Sequence, residues 1–394
     1  MKRKISLFLV LAMCITTLTT SGTESEEKVY ITYDEVYDMV LENNQSIQSN
    51  KLALKVMKNP PGVAEAQDAL WSASQGMNSL LSTMNDALLM VKPASEYPLY
   101  MALTAGIMSI SNMKSEISSQ MISLNSQTDE EMEGTIKQFE SIEQQIIWGA
   151  QSLYMAYIGL DLTVEELLIS KNSLETTVVS LEKRYELGQI SALDLSNVKI
   201  NIINLNSALE TLEYEQEKLL YDLNILLGRD YGTTLTLSHD IVPDVNYFSN
   251  ISFEDDFVKV LENNYNYYTV SESFDDAKDT HTSLDNTASQ NNYDMARINL
   301  EIQEQSLKSS LNKIYLQIAE KQRLVSVEKE ILLNKEVNLT AQELKYSHGT
   351  ISLDELNATQ AEYDTQALKV KTANFNFFIA IEQYKWALNG MITG

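Results

Sequence analysis

Turn formers are scarce in this chain, with 13 glycines and 5 prolines among 394 residues. With so few places to reverse direction, the elements between them must be long, and long helices are the natural outcome rather than two compact globules. Cysteine is absent apart from Cys14, which lies in the N-terminal segment, so the mature chain holds no disulfide and no thiolate metal site. Cations are in deficit: 29 Lys plus Arg stand against 55 Asp plus Glu, a net charge of −26. That field repels phosphate backbones and anionic lipid surfaces, and nucleic acid is not an expected partner. The acidity has two readings, a solvated outer face or an acid-lined passage for cationic cargo.

Catalytic constellations are missing too. His239, His281 and His348 are scattered, no Ser, His and acid grouping carries a nucleophile signature, and there is no glycine-rich phosphate loop. The chain therefore does not read as an enzyme, and no cofactor or metal is expected. His348 reads as a cation suited to a helix C-terminus.

What is present begins with a leader. Residues 1–22 read as a signal peptide, with Lys2, Arg3 and Lys4 ahead of the apolar stretch from Ile5 to Ile15. That stretch is too short to span a membrane. Thr19, Thr20, Ser21 and Gly22 mark the expected cleavage region. Met13 directly before Cys14 is a poor match to a lipoprotein signal.

The chain then repeats itself. Arg184, Tyr185, Gly188, Ile190, Ser191 and Leu195 recur with identical spacing as Lys345, Tyr346, Gly349, Ile351, Ser352 and Leu356. Leu41-Glu42-Asn43-Asn44 recurs as Leu261-Glu262-Asn263-Asn264. The two offsets differ, so the first half carries about 59 extra residues, within roughly 57–135. The organisation is a leader at 1–22, a first repeat at 23–230 with that insert, a linker at 231–250 and a second repeat at 251–394. The insert opens with Asn59-Pro60-Pro61-Gly62, is rich in Met, Ser and Ala, and its pattern looks helical. Its methionines, Met77, Met84, Met90, Met101, Met108 and Met113, suit adaptable helix packing or, alternatively, soft-metal export.

Apolar residues keep a 4,3 spacing from Ile146 to Tyr185 and again from Leu195 to Leu226. Such heptad seams imply left-handed supercoiled helices without a single compact core. The second half keeps the register from Leu307 to Tyr346 with more polar members, including Glu328. The stripe from Leu356 to Tyr384 is weaker still and includes Gln366, which predicts a last helix facing water or a partner over more of its circumference.

Each hairpin turn is written out in full. Gly188 and Gly349 stand where an ending helix needs a left-handed residue. Ser191 and Ser352 are placed to cap the next helix, with Asp194 and Glu355 completing capping boxes. Ile190 with Leu195, and Ile351 with Leu356, occupy hydrophobic-staple positions. Helices of about 50 and 38 residues around the first turn predict a hairpin of about 60–75 Å, which needs further hairpins to cover both sides.

Two long coiled-coil hairpins in tandem, each turning at Tyr-x-x-Gly-x-Ile-Ser, resemble the TolC family of outer-membrane efflux and secretion channels. The Leu-Glu-Asn-Asn helix entry and the ending Leu226-Leu227-Gly228 also resemble that family. The resemblance implies an all-α protomer of a helical barrel, a homotrimer, and tips that meet a periplasmic adaptor (membrane fusion protein) coupled to an inner-membrane pump. On that carry-over the adaptor contacts are Leu187, Gly188, Gln189, Ile190 and Ser191, with His348, Gly349, Thr350, Ile351 and Ser352. Asp194 and Glu355 match positions of acids near the tunnel entrance, although helix capping explains the same two carboxylates.

One departure stands beside the match. The family places a β-hairpin between the paired helices of each repeat, whereas here Val270 to Asn292 is rich in Asp, Ser, Thr and Asn and shows no alternating strand. Little or no β-barrel is therefore expected. The implied function is a duct in the cell envelope, at the outer membrane if the organism has one. The alternative is a non-conducting coiled-coil scaffold.

Overall fold

The computed structural model describes residues 30–57, 63–90, isolated positions between 100 and 114, and 129–392. The expected leader at 1–22 and most of the later part of the insert lie outside the described residues. The described chain is almost entirely helical. In order come β1 (Tyr30–Ile31), α1 (Tyr33–Asn43), α2 (Gln45–Met57), α3 (Val63–Met90), α4 (Asp129–Glu186), α5 (Ala192–Leu226) and β2 (Thr236–Leu237). A 3-10 turn (Tyr247–Asn250) leads into α6 (Phe253–Asn263), α7 (Tyr265–Leu284), α8 (Thr287–Ser347) and α9 (Leu353–Leu388). Among the described residues, β1 and β2 form the only sheet, a parallel pair joining Tyr30 to Thr236 and Ile31 to Leu237.

The heptad seams hold the two hairpins together. On α5 every seam position from Leu195 to Leu226 is buried or half-buried, and on α8 the same is true from Leu307 to Gln342. Tyr185 and Tyr346, at the ends of the α4 and α8 seams beside the turns, are exposed. The polar seam members of the second hairpin find each other: Gln366 Nε2 donates to Glu328 Oε2 at 2.5 Å and to the Glu328 carbonyl at 3.2 Å. A buried amide costs little once its hydrogens are matched, which is how a polar seam still closes.

Four helices stand side by side. α5 packs on α4, α4 on α9, and α9 on α8, while α5 and α8 share no packed face. Lys199 bridges to Glu182 at 2.6 Å between α5 and α4, Lys371 to Glu165 at 2.5 Å between α9 and α4, and Lys335 to Glu362 at 2.7 Å between α8 and α9. The result is a wall with α5 and α8 as its edges.

The duplicated asparagines explain how the wall is continued upward. Asn44 ends α1, its Oδ1 accepts from the Ser46 and Ile47 amides, and its Nδ2 donates to the Leu226 carbonyl at 2.9 Å. Asn264 does the same between α6 and α7: its Oδ1 accepts from the Tyr267 amide, and its Nδ2 reaches the carbonyls of Gly390 at 2.9 Å and Ile392 at 3.0 Å. Each asparagine thus breaks one helix, caps the next and ties the orphan carbonyls of a returning helix end. α2 begins where α5 ends, and α7 where α9 ends.

Two expectations need correction. The helices around the first turn have 58 and 35 residues rather than about 50 and 38. α4 runs on past the end of α5 because α2 and α3 take over its cover there. The last helix is not the most exposed: its C-terminal half is buried on two sides. Phe375, Ile379 and Trp386 join a cluster built on α1 to α4, while Phe377, Ala380, Ile381 and Tyr384 join a second one with α6 and α8. The single stripe looked weak because the burial is divided between two faces.

The described part of the insert is helical, as expected. α3 lays Met77, Leu80, Met84 and Ala87 into the first cluster, so Met77 and Met84 serve packing. Gly149 on α4 allows the approach, since a Cβ there would sit 3.0 Å from Leu80 Cδ1. α4 is buried without interruption from Gln145 to Ala156, the signature of a helix covered all round. In the second repeat α7 and α8 are joined by Asp285 and Asn286 alone, with Asp285 left-handed at φ 41°. No strand occupies the place of a β-hairpin there.

Candidate docking tips

At the first turn Gly188 has φ +67°, its amide donates to the Tyr185 carbonyl at 2.9 Å, and the Gln189 amide donates to the Arg184 carbonyl at 2.8 Å. At the second, Gly349 has φ +71°, with Gly349 to Tyr346 at 2.8 Å and Thr350 to Lys345 at 3.0 Å. These are Schellman closures, which satisfy the last carbonyls and need a residue free of Cβ strain. Lys183, Arg184 and Lys345 lie in the last turns, where cations suit the helix dipole. His348 is the C-cap of α8.

The helices that leave the turns begin with reciprocal caps. Ser191 Oγ accepts from the Asp194 amide at 3.1 Å, and Asp194 Oδ2 accepts from the Ser191 amide at 3.2 Å. Ser352 and Glu355 repeat this at 3.2 Å and 2.9 Å. The Ser191 hydroxyl, followed by its backbone amide, holds the Asp194 carboxyl below the usual aspartate range. Capping thus accounts for the orientation of both acids. Both carboxylates remain exposed and free on their outer sides.

All ten tip residues sit at the two turns. Leu187, Gly188, Gln189, Ser191, His348, Gly349, Thr350 and Ser352 are exposed, whereas Ile190 and Ile351 are half-buried, as staple positions require. Leu187 is 71% exposed.

The structure adds residues that the motif did not reveal. Ser180 Oγ donates to Asp354 Oδ2 at 2.6 Å, joining α4 of the first hairpin to α9 of the second close to their tips. Around that bond runs a groove of 460 Å³ lined by Val179, Ser180, Lys183, Ser352, Asp354 and Asn357. Ser180, Lys183 and Asp354 lie off the heptad seams, on faces whose role depends on how two hairpins meet. The only sequence signal for them is a polar residue where an isolated hairpin would need none.

No protein-family model matches the chain, and no curated protein matches its sequence. Solved structures do. CusC, studied for the conformational changes accompanying its folding and transmembrane channel formation, aligns at TM-score 0.52 and 12% identity over 79% of this chain and 96% of CusC. The outer membrane protein VceC from Vibrio cholerae aligns at 0.48 and 11%, over 91% of this chain and 96% of VceC. The outer-membrane channel OprN aligns at 0.48 and 11%, over 91% and 90%. With CusC matched over most of both chains, and with tandem hairpins closed at Gly188 and Gly349, the chain has a TolC-like fold.

Proposed function

We propose that this chain is the duct component of a cell-envelope efflux or secretion system. It works as a TolC-like trimer that provides a passage without doing chemistry. It docks a periplasmic adaptor, itself coupled to an inner-membrane pump, through the tips at Gly188 and Gly349. The observation that carries this reading is the wall of side-by-side helices whose edge helices α5 and α8 keep exposed apolar faces toward the tips, with both tips exposed. One wall leaves both edges in water, and head-to-tail contact between copies covers them and closes a ring. Asp194 and Glu355 then stand near the inner mouth of the passage.

The assignment of residues 1–22 as a leader, of 23–230 and 251–394 as repeats around a 231–250 linker, and of an envelope location belongs to the same proposal. The likeness to CusC, a protein that forms a transmembrane channel, supports it. Fractionation of the mature protein combined with chemical crosslinking tests it: envelope-associated trimers are expected, and a soluble monomer contradicts it.

One observation favours a second reading, a non-conducting envelope scaffold. The direct α7–α8 connection at Asp285 and Asn286 leaves the second repeat with no strands to give to a barrel. Conductance across a planar lipid bilayer separates the two: steps of defined size support the duct, and their absence with an intact trimer supports the scaffold.

A further inference from the structure

The edge helices carry apolar residues that the chain itself leaves uncovered. On α5, Leu193, Ile200, Ile203, Tyr214 and Tyr221 are exposed and lie on one 4,3 frame, separate from the seam that faces α4. On α8, Leu316, Leu333, Val337 and Leu344 are exposed on one frame, separate from the seam that faces α9. A helix with two such stripes has two helical neighbours.

The tip glycines supply a common origin for the two stripes. Leu193 follows Gly188 by as many residues as Leu344 precedes Gly349, and the same equality holds for Ile200 with Val337 and for Tyr221 with Leu316. Helices rise equally per residue, so equal counts from level tips mean equal heights. Lys371 and Glu165, which pair at 2.5 Å across α9 and α4, lie 22 and 23 residues from Gly349 and Gly188, so the two tips are level. Tyr214 on α5 and Arg323, which interrupts the apolar run on α8, are also equally far from their glycines. Arg323 is exposed and has no hydrogen bond or salt bridge among the described residues. Glu210 and Glu217 flank Tyr214 by about one turn on its own frame.

We infer that α5 of one copy packs antiparallel on α8 of the next in this register. Ile200 meets Val337, and Arg323 seats on the neighbour's Tyr214 between Glu210 and Glu217. The inference rests on the duct reading above and names the partner of each open edge as a second copy of this chain. A guanidinium over a phenol ring between two carboxylates is favourable only when the helices are in step, so the pair sets the register while the apolar contacts hold the seam.

Disulfide mapping on the full chain tests this, in a Cys14→Ser background. Ile200→Cys with Val337→Cys is expected to give covalent oligomers under mild oxidation, while Ile200→Cys with Leu344→Cys, one heptad out of step, stays uncrosslinked. Crosslinking of the shifted pair alone, or of neither pair in a chain that light scattering shows to be oligomeric, overturns the register and leaves the duct reading standing. A monomeric chain overturns both. Arg323→Glu is expected to weaken self-association about tenfold, with Arg323→Lys losing less. Unchanged association in Arg323→Glu removes Arg323 from the seam.

Discussion

The backbone at Gly228 lies so close to Asn43 that a Cβ built there would fall 2.2 Å from the Asn43 carbonyl oxygen. Gly390 and Asn263 repeat the relationship at 2.1 Å. Gly188 and Gly349 have the same left-handed backbone, with φ +67° and +71°, but nothing stands within 4 Å of their missing Cβ. Four glycines of one conformation thus serve two ends: one pair locks the end of each hairpin to the opening helices of its own repeat, and the other shapes the free tips.

Alanine at these glycines should separate the two roles. Gly188→Ala and Gly349→Ala are expected to cost about 1 kcal/mol each, the strain of a Cβ in the left-handed region. Gly228→Ala and Gly390→Ala must also displace a backbone carbonyl, and are expected to cost more than about 3 kcal/mol or to prevent folding. Urea melts followed by helical circular dichroism provide the comparison, and equal losses at all four sites would contradict the close packing.

The capping boxes predict a smaller and local effect. Ser352→Ala is expected to lower stability by about 1 kcal/mol without changing the assembly. Ser191→Ala should move the Asp194 carboxyl toward the ordinary aspartate range, with the Ser191 amide retaining part of the depression, read by NMR titration of the side chain. The depressed value means that this carboxylate contributes stability above its unfolded pKa and loses it as pH falls through the folded one. Ser191→Ala should therefore flatten that part of the acid-side profile.

Glu382 predicts the opposite slope. It is 5% exposed, and burial pushes its carboxyl above the usual range despite Lys385 Nζ at 2.6 Å. A raised carboxyl binds its proton more tightly in the folded state, so stability is lost as pH rises from the unfolded pKa through the folded one. Glu382→Gln is expected to melt higher than the parent at neutral pH, with the advantage shrinking toward acid. A difference constant from pH 4 to pH 8 would exclude burial as the cause.

Docking through the tips predicts site-selective capture. A photo-crosslinking residue at Leu187 or Thr350 should trap an exported adaptor in cells, and one at Val242, exposed but in the segment between the repeats, should not. Gly349→Val should disorder the second tip and reduce that capture, because a β-branched residue tolerates the left-handed region poorly. Capture from Val242 at equal yield would argue against the tips as the docking site.

The tips and seams were legible because their determinants are local: a glycine, a serine and an acid within eight residues, and heptads within one helix. The junctions were only half legible. Asn43-Asn44 and Asn263-Asn264 are visible as a repeat, and Leu226-Leu227-Gly228 as a helix ending, but Leu388-Asn389-Gly390 lacks the second leucine that would mark it as the counterpart. The bond from Asn264 to Gly390 spans 126 residues, so neither partner announces the other. Burial of α9 escaped for a related reason, since a helix between two neighbours divides its apolar residues into two thin stripes. Ser180 and Asp354 became meaningful only when two hairpins were side by side.

The central claim is that copies of this chain close through α5 and α8 into a duct. Electron microscopy of the purified full-length protein tests it most directly: end-on views should show a closed three-fold ring of helices around an open centre. Particles that appear as isolated helical walls, or as rings whose centre is filled along the whole length, would contradict it.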